Sequence, residues 1–154
     1  MGYPKKGQGA AEYLILLGII LIVSLIGIVL LGGFTESTTN AVDTQTKMYW
    51  SSTRPLAIIE WVQTNSTLYI KLKNMDQKRV ILKSIRASNV TSSFGTGWTF
   101  APGNEKTVTI NGLTQCSANY DYFSYDIYIN YDTADISNIT FKGTKPLVGK
   151  CIYD

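Results

Sequence analysis

An uncharged run of 18 apolar residues, positions 14–31, begins close to the start of this 154-residue chain, broken only by Gly18, Ser24 and Gly27. As a helix it extends about 27 Å, close to the thickness of a hydrocarbon core. Val, Ile and Leu occupy its whole circumference. It therefore predicts a segment surrounded by lipid or by other helices, not a one-sided surface helix. Glu12 stands just outside the run. A carboxylate at that depth has to stay at the interface, snorkel, or meet a cation. Lys5 and Lys6 precede it, and positive charge keeps that end cytoplasmic and sends the rest of the chain outward.

Beyond the run the character changes. From Phe34 onward 12 Lys and Arg face 10 Asp and Glu, a net charge of only +2 with no basic block, so nucleic acid has no electrostatic footprint to bind. Residues 34–48 are polar and free of proline. They are expected to continue the helix past a weak point at Gly32 and Gly33, with Phe34, Ala41, Val42 and Met48 facing inward. A flexible stalk is the alternative, and Thr35 or Ser37 suits the cap of a restarted helix. From Arg54 and Pro55 the period becomes two. Strands are predicted over 57–62, 67–73, 79–86, 106–110, 122–131, 136–141 and 147–153, with a turn at 74–77 and loops at Gly95, Gly97, Pro102 and Gly103. Seven short strands with frequent turn signals argue for an antiparallel β-sandwich of immunoglobulin type. The expected class is α+β: a leader (1–7), a helix (8–50) and a β-sandwich surface domain (51–154).

Catalytic chemistry finds little support. The chain has no histidine, which removes the commonest general base and metal ligand. Residues 143–150 resemble a phosphate loop, but the glycines are one residue too far apart and Cys151 replaces the Ser or Thr that would hold Mg²⁺. Asp121, Asp126, Asp132 and Asp135 lack EF-hand spacing and are expected to be solvated loop carboxylates. No cofactor or metal is expected. Cys116 and Cys151, two cysteines beyond a membrane segment, suit a disulfide in an oxidising compartment. Three sequons, at Asn65, Asn89 and Asn138, are glycosylation candidates. Tyr120, Tyr122, Tyr125, Tyr128 and Tyr131 are expected mainly to pack within the sandwich, with sugar binding or subunit contact as alternatives.

A conventional signal peptide is cut after its apolar region at a small-x-small site, which residues 32–34 match poorly. Cleavage between Gly7 and Gln8 instead removes the basic leader and keeps the apolar helix. It also creates a cation, because the new α-amine has a reference pKa of about 7.7–8.0. Glu12, four residues on, lies on the same side of the helix one turn away. Between axially staggered neighbours the amine of one chain meets the carboxylate of the next. In a low-dielectric bundle such a contact sets register, because an unpaired carboxylate is costly.

Residues 5–16, Lys-Lys-Gly-Gln-Gly-Ala-Ala-Glu-Tyr-Leu-Ile-Leu, resemble the class III signal sequence of archaeal type IV pilins. That pattern is a charged leader ending in Gly, then Gln-x-Ser/Ala-x-Glu-x-x-x-Leu. Gln8, Ala10, Glu12 and Leu16 match it position by position, with Ala10 where Ser is frequent. Residues 143–151 also look like the C-termini of such pilins. The resemblance implies cleavage before Gln8 by a prepilin peptidase. It further implies extraction from the membrane into a helical homo-oligomeric filament, driven by an assembly ATPase and a platform protein, with adhesion as the filament's work. A minor pilin or archaellin-like subunit is one alternative. A membrane-anchored or secreted module binding sugar or protein is another. Gly18 and Gly27 fall about 180° apart on the helix, which suits a helix with neighbours on several sides.

Overall fold

The computed structural model describes residues 8–30, 35–117 and 121–153. The chain divides into two compact units, Met1–Ala41 and Val42–Asp154. The predicted leader, the glycine pair at 32–33, Phe34 and Tyr120 lie outside the described residues, as does the side chain of Ala41.

The first unit contains α1, Gln8–Leu30. Its large apolar side chains, from Tyr13 to Ile28, are all between 40% and 66% exposed. Helix α2, Thr35–Ser52, follows, and its later turns belong to the second unit. There the inward face differs from expectation. Val42 and Met48 are exposed, at 45% and 67%, whereas Thr46 and Trp50 are buried. The spacing of four between Thr46 and Trp50 is the helical repeat; Trp50 decides which face turns inward. Its ring meets Phe141 edge-on at 6.4 Å, its Nε1 donates to Pro146 O at 3.3 Å, and Tyr49 Oη accepts from Thr144 N at 2.8 Å. The helix stops at Thr53, whose hydroxyl lies 2.8 Å from the orphan carbonyl of Trp50.

Nine strands follow among the described residues: β1 Leu56–Thr64, β2 Thr67–Asn74, β3 Val80–Ala87, β4 Val90–Phe100, β5 Glu105–Asn111, β6 Tyr122–Tyr125, β7 Ile127–Thr133, β8 Ile139–Lys142 and β9 Leu147–Ile152. They form a five-stranded sheet in the order β5-β2-β1-β9-β6 and a four-stranded sheet in the order β4-β3-β7-β8. All pairings are antiparallel except a short parallel contact of β1 with β9, Gln63 opposite Cys151. The α+β expectation holds at this level: an N-terminal apolar helix, then a mostly antiparallel two-sheet domain.

One core joins both sheets. Leu68, Ile70 and Leu72 of β2 contribute the regular alternation, and Ile127 and Ile129 of β7 do the same opposite them. In β3 the alternation would fail, because Leu82 and Ile85 are three residues apart and both buried. A bulge between Leu82 and Ser84 supplies the extra residue and returns Ile85 to the inner face. Asn74 is buried but satisfied: its Nδ2 donates to Lys78 O at 2.8 Å and Phe100 O at 3.0 Å, and its Oδ1 accepts from Asp76 N at 2.9 Å.

Three strand expectations need correction. Strand β4 was not foreseen, and Gly95 and Gly97 lie inside it with φ of 55° and 103°. Its partners in β3 step from Leu82 to Ser84 while β4 steps from Trp98 to Ser93, so the intervening residues bulge out of the ladder and the glycines provide the left-handed backbone. The predicted strand 122–131 is two strands, because the chain leaves the five-stranded sheet at Tyr125 and enters the four-stranded one at Ile127. Ile136, placed in a strand by its apolar character, is 62% exposed in the connection before β8.

Gly143 and Gly149 are required by packing. A Cβ on Gly143 would run into the Trp50 indole, and one on Gly149 would stand 2.7 Å from Phe123 Cζ and 2.9 Å from Trp61 Nε1. Gly143→Ala is expected to destabilise the β-domain by about 1–3 kcal/mol, the usual cost of overpacking. Urea denaturation in detergent followed by tryptophan fluorescence checks this.

Candidate functional site

On α1, Gln8, Glu12 and Leu16 follow one another at intervals of four, so they form one stripe that drifts by about 40° per step. Ala10, Glu12 and Leu16 are exposed. Gly7 and the side chain of Gln8 lie outside the described residues. Lower in the helix the Ser24 hydroxyl donates to Ile20 O at 2.7 Å, which satisfies the one hydroxyl of the apolar run within the helix itself. Gly18 and Gly27 each leave open space where a side chain would stand. The span Gly9–Ile28 is long and apolar enough to cross a membrane. Exposed apolar surface of this extent marks a surface that lipid or protein covers.

The second feature lies at the far end of the chain. Cys116 and Cys151 form a disulfide with their Cα atoms 6.1 Å apart, as the two-cysteine count predicted. It ties the segment after β5 to β9, and both cysteines are buried. The β1–β2 turn is tied to the same place: Asn65 N donates to Ile152 O at 3.3 Å, and Cys116 N donates to Asn65 O at 3.1 Å. Gln63, fully buried, donates through Nε2 to Asn65 O at 2.9 Å and Thr114 O at 2.8 Å. No periodicity in the sequence marks Gln63 for this role. Beside the disulfide lies an open cleft of about 470 Å³ bordered by Gln63, Asp121, Tyr122, Phe123 and Tyr125. Phe123 and Tyr125 stack at 5.3 Å, and burial pushes the Tyr125 hydroxyl's pKa up.

The tyrosines divide as alternate positions should. Tyr125 and Tyr131 are buried, Tyr128 is half-buried beneath the Arg86 guanidinium at 3.9 Å, and Tyr122 is exposed. Of the aspartates expected as solvated loop carboxylates, Asp132 instead lies in β7 with its side chain largely covered. Asp132 accepts from Asn138 N at 2.7 Å and pairs with Lys83 at 3.3 Å; the backbone donor, then the lysine, hold its pKa below the ordinary value. Glu105 is likewise lowered, first by its hydrogen bond from Lys73 at 2.9 Å. Asp135 pairs with Lys78 at 2.6 Å. Asp121 accepts from the backbone and hydroxyl of Ser117. Among the described residues no group of three His, Cys, Asp or Glu is placed to hold a metal.

The three sequons occupy unlike places. Asn65 is half-buried at the disulfide. Asn89, in the turn between β3 and β4, and Asn138, in the connection from β7 to β8, are exposed. No protein-family model matches this sequence, and no curated protein is significantly similar to it. The molecule itself provides an apolar helix able to anchor in a membrane and a disulfide that suits an oxidising, extracellular setting.

Two stability predictions follow from these contacts. Replacing both cysteines by serine opens a loop of 35 residues, and the chain-entropy model assigns that loop about 4 kcal/mol; chemical denaturation of the double variant measures the loss. For Asp132 and Glu105 the folded pKa is below the unfolded one, so their contribution is present above the ordinary carboxylate range and fades as pH falls through the folded values. Unfolding of the wild type is expected to ease progressively below about pH 4, and Asp132→Asn to flatten that part of the profile.

Proposed function

We propose that this chain is a structural pilin subunit that polymerises through its N-terminal helix into an extracellular archaeal type IV pilus, an adhesion filament. The observation that carries the reading is α1. It is a helix of exposed large apolar side chains whose one carboxylate, Glu12, lies a single turn from Gln8, within the motif formed by Gln8, Ala10, Glu12 and Leu16. The chain resides in the cell membrane before assembly. A prepilin peptidase cuts between Gly7 and Gln8, and an assembly ATPase and platform protein draw the subunit into the filament. There the helices exchange lipid for one another. The new ammonium at Gln8 meets Glu12 of a neighbouring copy and sets the axial stagger. The two-sheet domain, read more finely as an immunoglobulin-like sandwich, forms the outer surface. The work is structural, and neither catalysis nor a cofactor enters it.

Sequencing the N-terminus of the mature protein tests the processing step. A start at Gln8 is expected; a start at Met1 favours a simple anchor, and one near Phe34 a secreted module. Glu12→Ala is expected to leave membrane insertion intact and to lower filament yield at least about tenfold, since an unpaired buried charge costs about 3–5 kcal/mol. Electron microscopy of sheared cell surfaces reads the yield, and normal filaments from this variant would defeat the register argument.

A further inference from the structure

Two of the three sequons lie on the four-stranded sheet, at opposite ends of it. Ala87 pairs with both Val90 and Ile127 at one end, where the turn 88–89 carries Asn89. Tyr131 pairs with Ile139 at the other, next to Asn138. Both asparagines are exposed, and so are the sequon hydroxyl residues Thr91 and Thr140. Asn138 Oδ1 accepts from Asn130 Nδ2 at 3.1 Å. That contact leaves Nδ2, the atom a saccharide would join, on the other side of the amide. The sheet face between the two sites is polar, with Arg86, Tyr128, Asn130 and Lys142 across its strands.

The third sequon is half-buried. Asn65 Oδ1 is buried. The backbone of its turn is held by Ile152, Cys116, Gly112 and Leu113. Asn65 and Asn138 both stand in left-handed turns, with φ of 52° and 59°, which asparagine tolerates; what separates them is exposure, Asn65 being half-buried and Asn138 exposed.

We infer that Asn89 and Asn138 are N-glycosylated and that Asn65 is not, so that saccharide brackets the outer face of the four-stranded sheet. In the transfer, Nδ2 attacks the anomeric carbon of a lipid-linked oligosaccharide. A carbon–nitrogen bond forms and the anomeric carbon–oxygen bond breaks. The lipid phosphate or diphosphate leaves with the electron pair, and the amide loses one proton. The inference rests on the proposed outward location of the β-domain.

The test is glycopeptide mass spectrometry of the full chain purified from its native cells, beside protease treatment of intact cells. Thr91→Ala and Thr140→Ala remove a sequon each while keeping the asparagine in its turn. The expected result is saccharide on Asn89 and Asn138, bare Asn65, one glycan mass lost in each single variant and both lost in the double variant. Saccharide on Asn65, or a bare asparagine at 89 or 138 in the wild type, overturns the inference. If the external protease then digests the β-domain, only the glycosylation pattern has failed. If the domain is protected, its outward location has failed as well.

Discussion

The organising constraint is an apolar helix whose side chains are exposed all round its circumference. Water cannot host α1 in this state: each exposed Leu or Ile forfeits about 1.5–3 kcal/mol relative to burial, and α1 carries more than ten such large residues. The helix therefore has to be surrounded, by lipid or, in the proposed filament, by copies of itself. Its internal composition agrees. Ser24 satisfies its own hydroxyl within the helix, and the backbone hydrogen bonds are internal, as any segment in hydrocarbon requires.

The β-domain is held together by a core of its own. Both sheets feed one cluster, and bulges in β1 and β3 keep apolar residues inward where strict alternation would turn them out. The disulfide and Gln63 gather the segment after β5, the β1–β2 turn and β9 at one place. Trp50 fills the space that Gly143 leaves open and fastens the last turns of α2 to this core. Residues far apart in sequence are joined here by contacts that only close approach of glycine backbones permits.

How much of this was visible in the sequence depends on what held each element in place. β2 alternates strictly, and its predicted span, 67–73, differs from Thr67–Asn74 by one residue. β4 was invisible because only Phe100 of its eleven residues is buried; the strand forms by pairing with β3 and carries glycines that ordinarily signal loops. The inward face of α2 was misread because Val42 and Met48 are apolar, whereas burial follows the position of Trp50 and includes a threonine. The division of 122–131 is set by a change of sheet at Asp126, whose carbonyl accepts from Ser88 N, and local composition does not record such a crossing. The motif on α1 was legible as a spacing of residue types. The differing exposure of the three sequons was not, since it arises from the disulfide and the C-terminal strand that are hydrogen-bonded to the turn of Asn65.

Under the proposed reading, one carboxylate has to be tolerable in two environments. Glu12 is the fifth residue of α1, so it lies about 6 Å along the axis from Gln8. In the membrane that depth keeps it near the headgroups, with Lys5 and Lys6 close by in sequence, and insertion costs little. Cleavage after Gly7 removes both lysines and substitutes an ammonium fixed to the helix terminus. A backbone amine at a helix terminus is fixed in one position. Such a contact between copies is satisfied at one stagger and unsatisfied at others. Cleavage thus supplies the one cation whose position specifies register, and it does so without altering a residue of the mature helix.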